Sequence, residues 1–456
     1  MKKFVAVLVT LIMLLSLLAG CASTEVETGE KVIKIGVFEP TSGNSASGGK
    51  KEVLGIKYAN HLTPTVDIKG ETYKVELVYA DNKSDEKAAV EVAQELADKD
   101  ISLAIGSYGS NVSIAASDSF KNAGIPIIGA SCTNIYVTMG NDHYFRICYE
   151  DPFQATTLSG FAFEKFGAKK AYLLGEAGNE YDQGLMVYFE QEFIKRGGQV
   201  IMDSFPEHST NFTSYLNKAV ENEVDVIFIP VSIAYATKII TQANEMGIEI
   251  PILGSDTLDD NKILDAVVDT NTQLYVSSHY HEGGVSTFDE SFKKYINSNK
   301  DALELNGGND TISAVSVLGY DAYNVAIEAI RKANSEDPAA IRLALTGITH
   351  SGVSGEISFD AIDGDANRTT AYIIKANPET LTWDLEKLQE INQSINQSIN
   401  QSINQSINQS INQSINQSIN KSINQSINQS INQSINQSIN QSINQSINQS
   451  INQSIN

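Results

Sequence analysis

The sequence predicts an α/β protein with two lobes, each a parallel sheet flanked by helices. Short runs of β-branched residues alternate with amphipathic stretches from Val32 to about Leu253. Such strand–helix–strand repetition is typical of parallel sheets that are covered on both faces. The chain between its two unusual ends, residues 21–390, is also long enough to divide into two lobes.

The individual elements follow from apolar runs and helix-end signals. The strand candidates are residues 33–38, 73–79, 101–105, 125–128, 171–174, 226–229 and 250–253. The helix candidates are residues 87–98, 113–122, 181–196, 212–222 and 234–246, and several have end signals at Ser84, Asp85, Gly124, Gly197 and Gly247. The pattern pauses at residues 142–152. We therefore expect a strand at 144–148 to leave the first lobe and the segment 153–166 to begin the second.

The N terminus has the features of a lipoprotein export signal. Lys2 and Lys3 precede an apolar stretch at residues 4–18, and Ala19 and Gly20 then lead to Cys21. An uncleaved transmembrane helix is the alternative, but the stretch is shorter than the roughly 20 residues that a bilayer core requires. We expect a signal peptide at 1–20, lipidation at Cys21 and a polar tether at 21–31. The mature protein would then be exported and anchored to a bacterial membrane surface.

Residues 391–456 repeat the tetrapeptide Ile-Asn-Gln-Ser with one deviation, at Lys421. One apolar residue in four cannot cover a core, so we interpret this segment as a low-complexity tail. The repeat can be encoded by a repeated tetranucleotide, which suggests an expanded DNA microsatellite. A selected structural stalk is the alternative.

The charge and cysteine content narrow the class of protein. The formal net charge is -23, which disfavours a nucleic-acid partner. Once Cys21 is lipidated, only Cys132 and Cys148 remain, so no disulfide framework is expected, although a single bridge stays open. Their expected role is that of small buried apolar residues.

Two loops that follow strand candidates are rich in small hydroxyl residues, at 106–111 and 129–134. Ligands of parallel sheets bind at the carboxyl ends of strands, where these loops would lie side by side. A helix that begins near Ser110 would direct free backbone N–H groups at a carboxylate, and the hydroxyls of Ser110 and Thr133 would add hydrogen bonds. Alternatively, these residues only cap helices and make turns. Asp256 follows a strand of the second half and is either an ammonium partner or an ordinary loop or N-cap residue.

Signals for an enzyme or a metal site are weak. Residues 43–50 resemble a phosphate-binding loop, but Gly49 stands where its Lys belongs, and no Gly-x-Ser-x-Gly motif occurs. His279, His281 and Glu282 hint at a metal site, although an ordinary strand explains them better. We expect no catalytic residues, no cofactor and no metal.

Several stretches resemble the leucine/isoleucine/valine-binding proteins of ABC transporters, which have the type I periplasmic binding protein fold. The resemblance covers nearly all of residues 34–375. Its segments are 34–37 with 42–43, 106–117, 125–138, 144–146 with 151–154, 181–184, and 242–243 with Gly247.

The resemblance implies two lobes joined by three hinge crossings, near Glu150, Ser278 and Val353. The first lobe would comprise residues 32–150 and 279–353. The second lobe would comprise residues 151–278, with 354–390 returning to it and to the hinge. The lobes of this family close on their ligand by hinge motion.

The resemblance also assigns roles to residues of the site. It implies that Ser110 holds the ligand carboxylate, that Thr133 contacts both carboxylate and ammonium, and that the Ser131 carbonyl accepts from the ammonium. Asp256 stands where the family has a Glu, so the negative charge is kept on a shorter side chain. Tyr181 matches an aromatic residue that closes over the ligand.

Two departures from the family affect the side-chain pocket. Gly48 and Ser232 stand where aromatic pocket residues are common, and Tyr108 or Tyr235 is a candidate to refill the space. Asn111 is a further pocket candidate.

The expected function is the capture of a free amino acid, branched-chain or otherwise apolar, for an importer with permease and ATPase subunits. A sensor subunit of the same fold, which presents an amino-acid-like or amide ligand to a membrane receptor, is the alternative.

Overall fold

The structure is a computed structural model that describes residues 30–359 and 364–390. The predictions for the signal segment, Cys21 and the tail at 391–456 lie outside these residues. The strands in chain order are β1 (Val32–Glu39), β2 (Thr65–Ile68), β3 (Glu71–Asp81), β4 (Leu103–Ile105), β5 (Ile127–Gly129), β6 (Tyr144–Arg146), β7 (Lys170–Glu176), β8 (Gln199–Phe205), β9 (Val226–Ile229), β10 (Ile252–Gly254), β11 (Leu274–Ser278), β12 (Thr349–Gly352), β13 (Gly355–Ser358), β14 (Thr370–Asn377) and β15 (Thr382–Glu390). The helices are α1 (Ala46–Leu62), α2 (Glu86–Ala97), α3 (Ser110–Ala123), α4 (Asp151–Phe166), α5 (Glu180–Lys195), α6 (Thr213–Glu221), α7 (Ile233–Glu245), α8 (Asn261–Ala266), α9 (Ser286–Ser298), α10 (Lys300–Leu305), α11 (Ala314–Ala333) and α12 (Pro338–Leu345).

The first lobe is built on a six-stranded sheet in the order β2-β3-β1-β4-β5-β6. Its central strands are parallel, and Ile35 of β1 pairs with Leu77 of β3 and Leu103 of β4. Ile33, Ile35 and Val37 face α1, α11 and α12, whereas α2 and α3 cover the opposite face. The sheet is therefore buried on both sides, as its continuous apolar strands predict.

The second lobe is built on a seven-stranded sheet in the order β15-β14-β11-β10-β9-β7-β8. Alternate residues of β7 face opposite sides: Tyr172 and Leu174 pack towards α6, α7 and α8, whereas Ala171 and Leu173 pack towards α4 and α5. Strand β14 is antiparallel to β11. The two parallel-stranded α/β lobes confirm the predicted fold class.

The chain passes between the lobes after β6, after β11 and before β14. Helix α9 packs in the first lobe with Leu54 and Tyr58 of α1. The hairpin β12–β13 also stays there, because Ile357 and Phe359 are buried in the core of the first lobe. The third passage thus comes after Phe359, later than the expected position near Val353.

Helix α1 is absent from the sequence-based prediction. It contains the pair Gly48–Gly49, and its Lys51 and Glu52 are buried although charged residues normally mark an exposed face. Lys51 and Glu52 are buried although they are charged. They therefore interrupt the apolar pattern by which a helix is recognised in the sequence.

Two smaller findings concern the cysteines and the membrane. Cys132 and Cys148 are both free thiols and buried, so they do not form the bridge that the sequence left open. Among residues 30–359 and 364–390, no helix combines the length and the apolar character needed to cross a bilayer.

Candidate ligand-binding site

Loops at the carboxyl ends of strands in the two sheets face each other, and we call the region between them the cleft. Two hydrogen bonds join the lobes there: the Tyr108 hydroxyl donates to the Thr257 carbonyl at 3.0 Å, and the Asn134 side-chain amide donates to the Glu180 carbonyl at 3.0 Å. Since loops after strands supply most of these residues, the topology brings together the segments that the sequence singled out.

The two hydroxyl-rich loops are neighbours because β4 pairs with β5. Helix α3 begins at Ser110, directly after Gly109, whose φ of 106° favours glycine. The Ser110 hydroxyl is buried and accepts the backbone N–H of Asn134 at 3.1 Å, so it links the two loops. Its own proton remains available for a ligand carboxylate at the start of the helix.

Ser131 has a partner that the sequence did not indicate. Its hydroxyl donates to the carboxylate of Glu52, which faces Glu39. Burial raises the pKa of both glutamates, and Glu39 accepts the backbone N–H of Tyr108 at 2.7 Å. The contacts of Glu39 with Tyr108 and of Glu52 with Ser131 therefore link β1 and α1 to both hydroxyl-rich loops.

Asp256 lies on the opposite side of the cleft, where both carboxylate oxygens have partners. The Tyr181 hydroxyl donates to Oδ1 at 2.6 Å, and His279 Nε2 lies 3.2 Å from Oδ2. Burial lowers the pKa of His279, and a neutral imidazole can donate this hydrogen bond from Nε2. The sequence-based prediction included Asp256 and Tyr181 but not His279.

Gln154 positions Asp256 from α4. Its side-chain carbonyl accepts the Asp256 backbone N–H at 2.8 Å and the Ser277 hydroxyl at 2.6 Å. The resembling segment 151–154 included this residue, but the sequence offered no reason to assign it to the site.

Asp151 and Thr133 meet at the first crossing between the lobes. Both side chains are fully buried, and neither Thr133 Oγ1 nor either Asp151 carboxylate oxygen has a hydrogen-bond partner. Burial raises the pKa of Asp151 to about 8, and the nearby Thr133 hydroxyl partly offsets this rise. Asp151 was not among the predicted site residues.

Tyr108 occupies the space beside Gly48. A Cβ added at Gly48 would lie 2.3 Å from the Tyr108 ring, so the glycine leaves room for this aromatic side chain. Of the two candidates to refill the pocket, Tyr108 and Tyr235, it is Tyr108 that lies beside Gly48.

Tyr235 is bound mainly within the second lobe, where its hydroxyl donates to Glu176 at 2.9 Å and accepts the His208 N–H at 3.0 Å. The Ser232 hydroxyl, which precedes α7, is buried without a hydrogen-bond partner, and Asn111 is partly buried in the first turn of α3.

A buried ion pair also spans the lobes. Lys51 Nζ lies 2.5 Å from Asp260 Oδ2 and 2.9 Å from Asn261 Oδ1, and the Ser47 hydroxyl donates to the same aspartate at 2.9 Å. This pairing neutralises one of the several acidic groups around the cleft.

The histidine segment near the hinge does not gather into a metal site. His279 faces Asp256, whereas His281 contacts the Tyr372 ring edge-on and the Glu282 carbonyl. Across residues 30–359 and 364–390, no group of three or more His, Cys, Asp or Glu side chains is arranged to hold a metal ion.

Comparison with known proteins places the chain and its fold in a family. Residues 32–380 match the model of a periplasmic binding protein family. The chain is 28% identical over 228 residues to an amino acid binding protein of Pseudomonas aeruginosa, a match that spans 49% of this chain and 60% of the relative. It is 26% identical over 319 residues to Leu/Ile/Val-binding protein homolog 3 of Brucella melitensis, covering 69% of this chain and 83% of the relative.

Two solved structures are similar over 79% of this chain and 99% of their own length. The leucine-binding protein LivK of Thermotoga maritima has a TM-score of 0.71 at 28% identity. The branched-chain amino acid transporter substrate-binding protein LivJ of Streptococcus pneumoniae, solved with isoleucine, has a TM-score of 0.68 at 26% identity. The chain therefore belongs to the periplasmic binding protein family, in the leucine/isoleucine/valine group of ABC-transporter substrate-binding proteins with the type I fold.

Proposed function

We propose that this protein captures a free α-amino acid by closing its two lobes and delivers it to an ABC importer. The observation that carries the proposal is the placement of Ser110 and Thr133 in one lobe and of Asp256 with Tyr181 in the other. Hydroxyls and free N–H groups at a helix start suit a carboxylate. A buried aspartate suits an ammonium group. A ligand with both groups on one carbon would bridge the lobes.

Lobe closure is supported by the contacts across the cleft. Tyr108 with Thr257 and Asn134 with Glu180 make hydrogen bonds between the lobes, in addition to the covalent connection through the crossing segments. Breaking such contacts would open the cleft to a ligand, and a ligand that binds both lobes would favour their closed arrangement.

A branched-chain or otherwise apolar amino acid is the proposed ligand. The named ligands of the Thermotoga and Streptococcus proteins, leucine and isoleucine, support this class. The Tyr108 ring beside Gly48 supports it too, because it offers an apolar surface within the cleft.

The proposed setting is the outer surface of a bacterial membrane. The signal at 1–20 and the lipid anchor at Cys21 would hold the protein near the permease and ATPase subunits of the importer. Radiolabelled palmitate should label the expressed protein, and Cys21→Ala should prevent both labelling and membrane association.

A ligand screen tests the function directly. Common L-amino acids are added to the purified protein, and the melting temperature is measured with each. We expect at least one apolar amino acid to raise it, while the methyl ester and the decarboxylated amine of that amino acid do not. Equal binding of acid and ester would contradict the role of Ser110 and Thr133, and no shift with any amino acid would contradict the function.

A further inference from the structure

His279 lies beside Asp256 because the strands that precede them are neighbours. Strands β10 and β11 are parallel, with Gly254 opposite Val276, so the residues that follow them meet at one edge of the sheet. His279 Nε2 lies 3.2 Å from Asp256 Oδ2, and the two side chains are only 2% and 4% exposed. The imidazole is therefore a buried neighbour of the acid that is proposed to pair with the ligand ammonium.

The His279 ring is also held from the hinge. The Tyr149 ring stacks on it, with ring centroids 3.7 Å apart and an angle of 27° between the planes. Tyr149 directly precedes Glu150 at the first crossing between the lobes, whereas His279 directly follows β11 at the second. Packing against one face of the imidazole restricts its rotation, so Nε2 stays directed at Asp256.

The groups around His279 favour its neutral form. Burial lowers the pKa of the imidazole, Asp256 offsets part of this effect, and the positive charge of Arg368 lowers the pKa further. The other ionisable groups near Asp256 are Tyr181, whose hydroxyl donates at 2.6 Å, and Asp151, which is affected by the charge of Asp256. A neutral imidazole with its proton on Nε2 can donate to Asp256 and leaves the negative charge of the acid uncompensated.

Protonation of His279 would change what a ligand meets in the cleft. An imidazolium beside Asp256 would give the acid a counter-charge in the absence of ligand. The ligand ammonium would then approach a second cation at a buried site, where like charges repel more strongly than in water. A proton on His279 and an amino acid at Asp256 would therefore oppose each other's binding.

We propose that His279 is a positioning residue, which holds the Asp256 carboxylate for the ligand ammonium and confines tight amino-acid binding to the pH range in which the imidazole is neutral. This inference rests on the proposed amino-acid function and adds a control of affinity by acid. Because the pKa of His279 lies below its ordinary value of 6.5, the loss of affinity sets in below that pH.

The test separates the hydrogen bond of His279 from its titration. His279→Gln keeps a side-chain N–H donor but has no group that titrates, whereas His279→Phe keeps a ring against Tyr149 and removes the donor. L-Leucine is titrated by calorimetry against wild type and both variants at pH 7.5 and pH 4.5. If leucine does not bind, the amino acid with the largest melting shift is used.

The two variants should differ from wild type in different ways. At pH 7.5 we expect His279→Phe to bind about fivefold more weakly than wild type and His279→Gln to recover most of that loss. Between pH 7.5 and pH 4.5, wild type should lose about tenfold more affinity than His279→Gln. Other acidic groups are the same in both proteins, so their effects cancel in this ratio.

His281→Gln is the matched control. His281 lies two residues further along the chain, but its ring contacts Tyr372 edge-on and its Nδ1 lies 3.0 Å from the Glu282 carbonyl. We expect this variant to keep the affinity and the pH dependence of wild type. Circular dichroism of each ligand-free protein at both pH values shows whether it is folded.

A measurement on wild type alone gives a second test. The NMR signals of the histidine ring protons are followed against pH with and without saturating amino acid, and the ligand should lower the pKa of one of the six histidines. Ligand-independent pKa values for all six would overturn the inference, as would equal losses of affinity in wild type and His279→Gln at pH 4.5. The amino-acid function would stand in both cases. Failure of every amino acid to bind wild type at pH 7.5 would overturn the function and the inference together.

Discussion

The Tyr181 hydroxyl donates a 2.6 Å hydrogen bond to Asp256, so the aromatic residue and the acid of the second lobe are held as one unit. Tyr181 comes from the first turn of α5, and Asp256 directly follows Ser255 after β10. A ligand ammonium at Asp256 would therefore meet a carboxylate that is already oriented.

Asp256→Asn should weaken amino-acid binding by roughly 2–5 kcal/mol, because an ammonium in the closed cleft loses a buried counter-charge. Tyr181→Phe should cost less, since it removes an orienting hydrogen bond and leaves the charge in place. Calorimetric titration measures both variants. A loss below about tenfold for Asp256→Asn would remove Asp256 from the site.

Ser110→Ala should weaken amino-acid binding by about 1.5–3 kcal/mol, as expected for a hydrogen bond to a charged group. Ser113→Ala is the control within the same helix, because the Ser113 hydroxyl donates to the Gly109 carbonyl at 2.9 Å. Titration of both variants should show a clear loss only for Ser110. Equal losses would mean that the hydroxyls act through the loop structure rather than on the ligand.

Gly48→Ala should lower the melting temperature, because the new methyl group would lie 2.3 Å from the Tyr108 ring. Much of this cost should disappear when Tyr108→Ala is introduced as well, since the ring no longer obstructs the methyl group. Gly160→Ala is a helix control whose added group would meet only the flexible end of Arg196, at 3.2 Å. Additive effects of the Gly48 and Tyr108 changes would show that the two residues do not compete for space.

Asp151 should make the ligand-free protein less stable as the pH rises. Its pKa is about 8 in the folded protein and about 3.9 in an unfolded chain. The protonated form is thus favoured by folding, so its contribution is present below the unfolded pKa and is lost as pH rises through about 8. Relative to wild type, Asp151→Asn should gain on the order of 2 kcal/mol or more in unfolding free energy between pH 4 and pH 8.

Urea unfolding of wild type and Asp151→Asn across this pH range measures the gain. Asp259, whose pKa burial raises to about 7, titrates in both proteins and cancels in their difference. Parallel stability curves would show that Asp151 does not retain a raised pKa in the ligand-free protein.

Deletion of residues 391–456 should leave ligand affinity and melting temperature nearly unchanged. With Ile at every fourth position, the apolar stripe would drift around a helix of 3.6 residues per turn and offer no steady docking face. Ligand titration, thermal melting and limited proteolysis of the full and shortened chains test this. A core that melts several degrees lower without the segment would show that it contributes to folding.

Much of the fold could be predicted from the sequence because local residue patterns indicate its strands and helices. The strand expected at 226–229 is observed as Val226–Ile229, and the helices expected at 87–98 and 181–196 appear as Glu86–Ala97 and Glu180–Lys195. Apolar periodicity and terminal glycines act over short distances and need no tertiary partner to be recognised. Helix α1 was not predicted because its buried Lys51 and Glu52 interrupt that periodicity.

The sequence by itself determined the alternation of strands and helices, the family resemblance and the loops that contain Ser110, Thr133 and Asp256. Only the tertiary structure decided which acids are buried and which of them have partners. Glu39 contacts Tyr108, which lies 69 residues away in the sequence, and Lys51 contacts Asp260, which lies 209 residues away. In the sequence, Asp151 resembles any acidic residue that begins a helix. Its burial without a partner depends on two lobes packing around it, because desolvation is a property of the assembled fold rather than of neighbouring residues in the chain.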